Sequence, residues 1–141
     1  MTITLLTADQ LTATIQNQVS DLYRQLNADT RQGSLREILQ PDNNVTIVVC
    51  SMDDVIVGIA LLASYKVISG YRGLVEDVVV AATHRGKGIG RKLMEKLLEE
   101  AKNKNLDSIL LFTGHHRLAA IALYKSLGFT LRKSGIYNLK L

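Results

Sequence analysis

Three glycines in five residues, Gly86, Gly88 and Gly90, stand among Arg85, Lys87 and Arg91, between an apolar β-branched run and an amphipathic stretch. That combination suits anion binding. Glycines let a ligand approach the main chain, the first amides of a helix lack intrahelical acceptors, and the positive end of the helix dipole favours negative charge. A pyrophosphate fits such a nest, whereas a surface carboxylate hardly needs one. Two nucleotide-binding patterns fail here. Gly90 is followed by Arg91-Lys92, with no Ser or Thr to complete a Walker A loop, and the G-x-G-x-G spacing departs from the G-x-G-x-x-G of dinucleotide folds.

Other chemically capable residues flank this turn. Glu76 and Asp77 are adjacent carboxylates in an apolar run, so either could accept a proton or pair with a cation such as Arg72. Neighbouring strand residues point to opposite faces, so only one of the two reaches a common cleft unless a bulge intervenes. Tyr124 lies at helical spacing from Ile121, and spacing alone reads it as a core aromatic with its hydroxyl at the rim. His115, His116 and Arg117 sit between a strand-like and a helix-like segment; adjacent histidines rarely chelate one ion, no third ligand is suitably spaced, and no metal is expected. Cys50, on a β-branched run, reads as a small buried hydrophobe.

The elements that must position these residues follow from periodicity. Thr2 to Leu6 leans to strand, and Leu11, Ile15, Val19, Leu22 and Leu26 recur at helical spacing behind a cap at Thr7 or Asp9. Asn27 to Ser34 is polar and loop-like, and a short helix over 34–39 ends before Pro41. Runs at 45–51 and 55–67 form an antiparallel hairpin turning at Asp53-Asp54, and Gly73 to Val80 makes a further strand. A helix over 88–102 buries Leu93, Met94, Leu97, Leu98 and Ala101 on one face. Ser108 to Thr113 reads as a buried strand, Arg117 to Leu127 as a helix ended by Gly128, and Thr130 to Arg132 and Ile136 to Leu139 as closing strands. The expected order is β-α-α-β-β-β-α-β-α-β-β, an α/β (α+β) mixed sheet in a single domain over 1–141.

Composition bounds the function. With 141 residues, 47% hydrophobic content and one proline, the chain is long enough for one core and too ordered for a low-complexity class. Residues 1–70 hold 4 basic against 7 acidic side chains and residues 71–141 hold 13 against 6, so the cationic field belongs to the second half. Helix-turn-helix and interleaved-aromatic patterns are missing, so nucleic acid is not expected as a partner. The start lacks a basic, apolar leader, no apolar run approaches a membrane span, and the lone cysteine suits a reducing compartment; a cytoplasmic location is expected. A mean hydropathy of +0.11 leaves room for a homodimer face.

Two segments, taken in order, carry a family resemblance. Arg85-Gly-Lys-Gly-Ile-Gly90 matches the Gln/Arg-x-x-Gly-x-Gly/Ala signature of the GNAT superfamily of acyl-CoA-dependent N-acetyltransferases, and Ala120-Ile-Ala-Leu-Tyr124-Lys-Ser-Leu-Gly128-Phe129 is similar to its Ala-x-x-x-Tyr-x-x-x-Gly-Phe segment. The approach strand Val75-Glu-Asp-Val-Val-Val80 is typical of the family, while Ala81-Ala82 replaces its usual Asp-Pro and Arg117 its frequent Asn. The resemblance implies a GNAT-like fold binding acetyl-CoA in a V-shaped opening between two parallel strands. Backbone groups of Val78 and Val80, with Val79 between them, would meet the pantetheine arm, and the amides of Arg85, Gly86, Lys87, Gly88, Ile89, Gly90 and Arg91 the pyrophosphate. It further implies direct acetyl transfer to a primary amine of a small molecule or peptide, with the Val80 amide at the oxyanion, Tyr124 as general acid and Glu76 as base. The acceptor would be shaped by the first two helices and their loop, about residues 27–34, and by the last hairpin, and the acidic first half favours a cationic amine. The alternative on the same fold is a non-catalytic acyl-CoA-binding sensor or interaction module.

Overall fold

A central β-sheet grows from apolar runs too continuous to leave either face in water. In the computed structural model, which describes residues 1–141, strands β1 (Thr2–Leu6), β2 (Val45–Met52), β3 (Val55–Val67), β4 (Gly70–Val80) and β5 (Ser108–Leu111) lie in the order β1-β2-β3-β4-β5. The first four are antiparallel, and β5 runs parallel to β4. Helices α1 (Ala13–Arg24) and α2 (Leu35–Ile38) precede β2, α3 (Ile89–Asn103) crosses from β4 to β5, and α4 (Leu118–Ser126) follows β5.

The strands alternate between two cores. Val48, Cys50, Ala60 and Leu62 join Ile89, Leu93, Met94, Leu97 and Ala101 of α3, whereas Ile47, Val49, Ile59 and Leu61 join Val19 and Leu22 of α1 and Leu35 of α2. Each inner strand is thus covered on both faces, which is why its sequence is apolar throughout instead of alternating with polar residues. The β2–β3 turn is closed by Asp53 and Asp54, at φ of 50° and 61°; this double left-handed geometry matches the right-handed twist of a two-residue hairpin.

Helix ends carry their own chemistry. Thr12, rather than Thr7 or Asp9, caps α1, its hydroxyl accepting from Ile15 N at 3.2 Å; Thr7 instead precedes a single tight turn at Ala8–Gln10. Asn105, at φ 61°, and Gly128, at φ 98°, end α3 and α4 in the same way: Leu106 N returns to Ala101 O at 3.1 Å and Phe129 N to Tyr124 O at 3.0 Å.

The expected closing strands are not formed. No backbone hydrogen bond involves residues 130–141, and Leu131, Ile136, Tyr137 and Leu139 are exposed. Strand propensity acts through cross-strand packing, and a segment engaging no neighbouring edge gains nothing to offset the entropy of being extended. The formed order is therefore β-α-α-β-β-β-α-β-α. Two boundaries also differ: β4 begins at Gly70, three residues earlier than expected, and β5 ends at Leu111 instead of Thr113.

Sheet and α3 approach closely at Gly58. A Cβ there would stand 3.0 Å from both Ile89 Cγ2 and Leu93 Cδ1, side chains that are wholly buried and have nowhere to retreat. Gly58→Ala is expected to lower the unfolding free energy by about 1–3 kcal/mol through overpacking. Urea denaturation checks this, and an unchanged midpoint would mean that α3 shifts freely on the sheet.

Candidate active site

β4 is irregular where the site forms. Opposite β3, Leu61 pairs with Glu76 but Ile59 pairs with Val79, so β4 carries one extra residue, and Asp77 takes φ 51°. This is a β-bulge. Its effect on facing is visible in the cores: Val75 packs with α3 and Val79 with α1, although residues four apart on a regular strand share a face. Glu76 and Asp77 both line one cleft, along with the rest of β4 from Val75 to Val80.

The same place marks the end of pairing with β5. The β4–β5 ladder runs from Arg72 opposite Ser108 to Val75 opposite Leu111, and beyond Val75 the two parallel strands have no further partners in each other. Between them opens a cleft of about 650 Å³, walled by Glu76 to Val80 on one side and by Leu111 to Gly114, Arg117, Ala120 and Tyr124 on the other.

At its base lies the glycine-rich turn. Gly86 and Gly88 adopt φ of 77° and 78°, and a Cβ at either would meet nothing within 4 Å, so these positions favour glycine for its backbone freedom and not for lack of space. Gly90 is inside α3, where a Cβ would make an ordinary 3.5 Å contact with Leu123. None of the seven backbone amides from Arg85 to Arg91 donates to an acceptor in the chain; the first to do so is Lys92 N, to Gly88 O at 3.2 Å. Helix geometry leaves the first amides free, and the left-handed glycines extend that unpaired series backward into the turn.

The cations divide into two groups. Arg85 Nε donates to Val80 O at 3.2 Å, holding the turn against the end of β4. Arg91 is already engaged, with Ser126 Oγ on α4 and with Glu95 at 3.6 Å. Of the residues expected at the anion, Arg85, Gly86, Gly88, Ile89 and Gly90 line the cleft together with Val78, Val79 and Val80, while Lys87 and Arg91 do not.

Tyr124 is set by the α4 terminus. Gly128 closes that terminus, Phe129 folds back, and the two rings meet edge to face at 6.1 Å and 65°. Burial raises the Tyr124 pKa, with Arg117 opposing, so the hydroxyl keeps its proton at neutral pH. Burial also raises both carboxylates, Glu76 with a further contribution from the charge of Asp77. Cys50 is fully buried on β2, and burial raises its thiol. His115 and His116 do not line the cleft, whereas Arg117 does.

Some lining residues had no local signal. Tyr23, Leu26 and Asn27, at the end of α1, reach the cleft because Gln25 Oε1 accepts from Ala82 N at 2.8 Å across 57 residues of sequence. Helical periodicity marks the face of α1 that packs on the sheet and says nothing of where its end is tethered.

Comparison with known proteins identifies the family and the fold. The model of the acetyltransferase (GNAT) family matches residues 13–129. An N-acetyltransferase of Bacillus subtilis is 39% identical over 79 residues, covering 56% of this chain and 32% of its own. An L-methionine sulfoximine/L-methionine sulfone acetyltransferase of Salmonella typhimurium is 34% identical over 86 residues, covering 60% and 50%. The matched region thus spans half or less of these relatives' lengths. A Trypanosoma brucei acetyltransferase structure superposes with a TM-score of 0.80 over 99% of both chains at 21% identity, a likeness of fold.

The raised Asp77 pKa carries a stability consequence. A carboxyl whose folded pKa lies above its unfolded value, ordinarily 3.8, weakens the fold once it ionises; this cost is absent below 3.8 and complete above the folded value. Asp77→Asn is therefore expected to raise Tm at pH 7 and to lose that advantage as pH falls toward 3.8. Scanning calorimetry across this range checks it, and a gain that grows toward acid would contradict the sign.

Proposed function

Because the chain belongs to the acetyltransferase (GNAT) family, we propose that it transfers the acetyl group of acetyl-CoA directly to a primary amine of a small molecule or peptide. The observation carrying this reading is the run of seven unpaired amides from Arg85 to Arg91, five of whose residues line a cleft beside the edge of β4 that β5 leaves unpaired. Such amides suit a pyrophosphate, and the β4 edge beyond Val75 suits an extended, amide-bearing arm that hydrogen-bonds as a strand does. When bound, acetyl-CoA supplies an activated thioester carbonyl.

The chain's own residues then act on either side of it. Val80 N–H donates to the carbonyl oxygen as negative charge develops there. Glu76, with Asp77 beside it, takes the proton lost by the amine, and its raised pKa makes it a stronger base than an ordinary glutamate carboxylate. Tyr124, still protonated, gives its proton to the departing sulfur. The new C–N bond thus replaces the C–S bond, and both protons are accounted for. The buried thiol of Cys50 has no part in this direct transfer. We place the protein in the cytoplasm, where a lone buried thiol stays reduced; no helix is long and apolar enough to cross a membrane.

Two variants test the proposal. Asp is among the side chains that best tolerate the left-handed φ of Gly88, so Gly88→Asp is expected to fold while setting a negative charge against the amide nest. Isothermal titration should show acetyl-CoA binding to wild type and its loss in this variant; a folded wild type that binds no coenzyme A would sink the reading. Tyr124→Phe is expected to lower kcat by about 10²–10⁴-fold, the range for a sole general acid. Unchanged turnover would remove that role.

A further inference from the structure

A second cavity, of about 220 Å³, opens beside the cleft between α1, the 27–34 loop with α2, and the α1-facing side of β3. Tyr23 and Asp77 line both spaces, so the cavity and the cleft meet at these two side chains. Its floor is apolar, made by Val19, Leu35, Ile59 and Leu61, all buried. Only two of its lining residues carry charge, Asp77 and Arg31.

The remaining polar lining is largely committed. Gln16 Oε1 accepts from Leu35 N at 3.1 Å, holding the start of α2 on α1, and Gln32 Nε2 donates to Ser20 O at 3.0 Å, holding the 27–34 loop there. The guanidinium of Arg31 is exposed and, like those of Arg36, Arg117 and Arg132, makes no hydrogen bond or ion pair within the chain; of these four, only Arg31 lines this cavity. A cavity with one charge of each sign over an apolar floor is complementary to a zwitterion with an apolar body. It is poorly matched to a polycation, for which a cluster of carboxylates is the complementary wall.

We propose that this cavity is the acceptor subsite and that its ligand is a small α-amino acid with an apolar side chain of about leucine's size. The proposal rests on the acetyl-transfer reading of the adjoining cleft. The amine lies at the seam beside Asp77, facing the thioester; the carboxylate takes the two parallel hydrogen bonds that a guanidinium offers; the side chain lies on the apolar floor. The amine nitrogen bonds to the acetyl carbon as the C–S bond breaks, its proton leaves to the carboxylate pair, and the substrate carboxylate is unchanged. The volume equals roughly seven water molecules at about 30 Å³ each, room for a molecule of leucine's size.

Release of the coenzyme A thiol, followed with L-leucine and with 3-methylbutylamine, isolates the contribution of the carboxylate, since the two share a side chain. Wild type should favour L-leucine in kcat/KM by about 10–100-fold, the range for a hydrogen-bonded charged group. Arg31→Gln should collapse that ratio toward one, chiefly by raising KM for L-leucine, and Arg31→Lys should restore part of it. Equal turnover of both amines by wild type, or a preference that survives Arg31→Gln, would overturn the proposal while leaving acetyl transfer intact. Acetyl-CoA binding without turnover of any amine would instead bring down the acetyl-transfer reading, and this one with it.

Discussion

One extra residue in β4 governs the functional half of the molecule. The bulge at Asp77 reverses the facing of every residue after it, so that Val75 packs under α3 and Val79 under α1. It also coincides with the end of the β4–β5 ladder, so the strand turns its facing where it loses its neighbour. An unbroken strand would bury one carboxylate against a helix layer, an arrangement that is costly without a partner. Both carboxylates instead line the cleft, and their raised pKa values record a partial loss of water there.

The sheet keeps two chemistries apart. On the α3 side, the packing of Leu93, Met94 and Leu97 holds the helix whose first amides face the cleft, and Gly58 lets that helix sit close to β3. On the α1 side, a separate core anchored by Leu22, Leu35 and Ile47 supports the wall of the smaller cavity. Asp77 stands where the two meet. The anion-binding turn and the acceptor wall therefore owe their positions to different sets of contacts, joined chiefly through β4 and the Gln25–Ala82 hydrogen bond.

Much of this was legible in the residues, for identifiable reasons. The strands at 45–52 and 55–67 declared themselves because both faces are buried, and the amphipathic stripe of α3 because only one is. Gly86 and Gly88 could be read as an anion turn because closely spaced glycines among cations, just ahead of a helix, leave the main chain bare to a ligand. The bulge was not legible: two adjacent carboxylates look alike in a regular strand and a bulged one, and only the β3 register separates the cases. The cap at Thr12 was hidden by two earlier capping residues, and the residues after Phe129 have strand-like side chains but no edge to pair with. Arg31 carried no signal, because an arginine in a polar loop is ordinary until the cavity beneath it is seen.

The wall of the smaller cavity is fastened by neutral amides. Gln16 ties α2 and Gln32 the 27–34 loop to α1, Gln18 accepts from Ile56 N at 3.1 Å on β3, and Gln25 accepts from Ala82 N. All four bonds end on main chain, so they hold whatever side chains line the space between them. In evolutionary terms this makes the wall an exchangeable part: a lineage can substitute Thr30, Arg31 or Ile38 and drift toward a new metabolite without renegotiating the apparatus that grips the acetyl donor. Gene duplicates of such a protein would be expected to diverge first across residues 27–39, and last across 85–91.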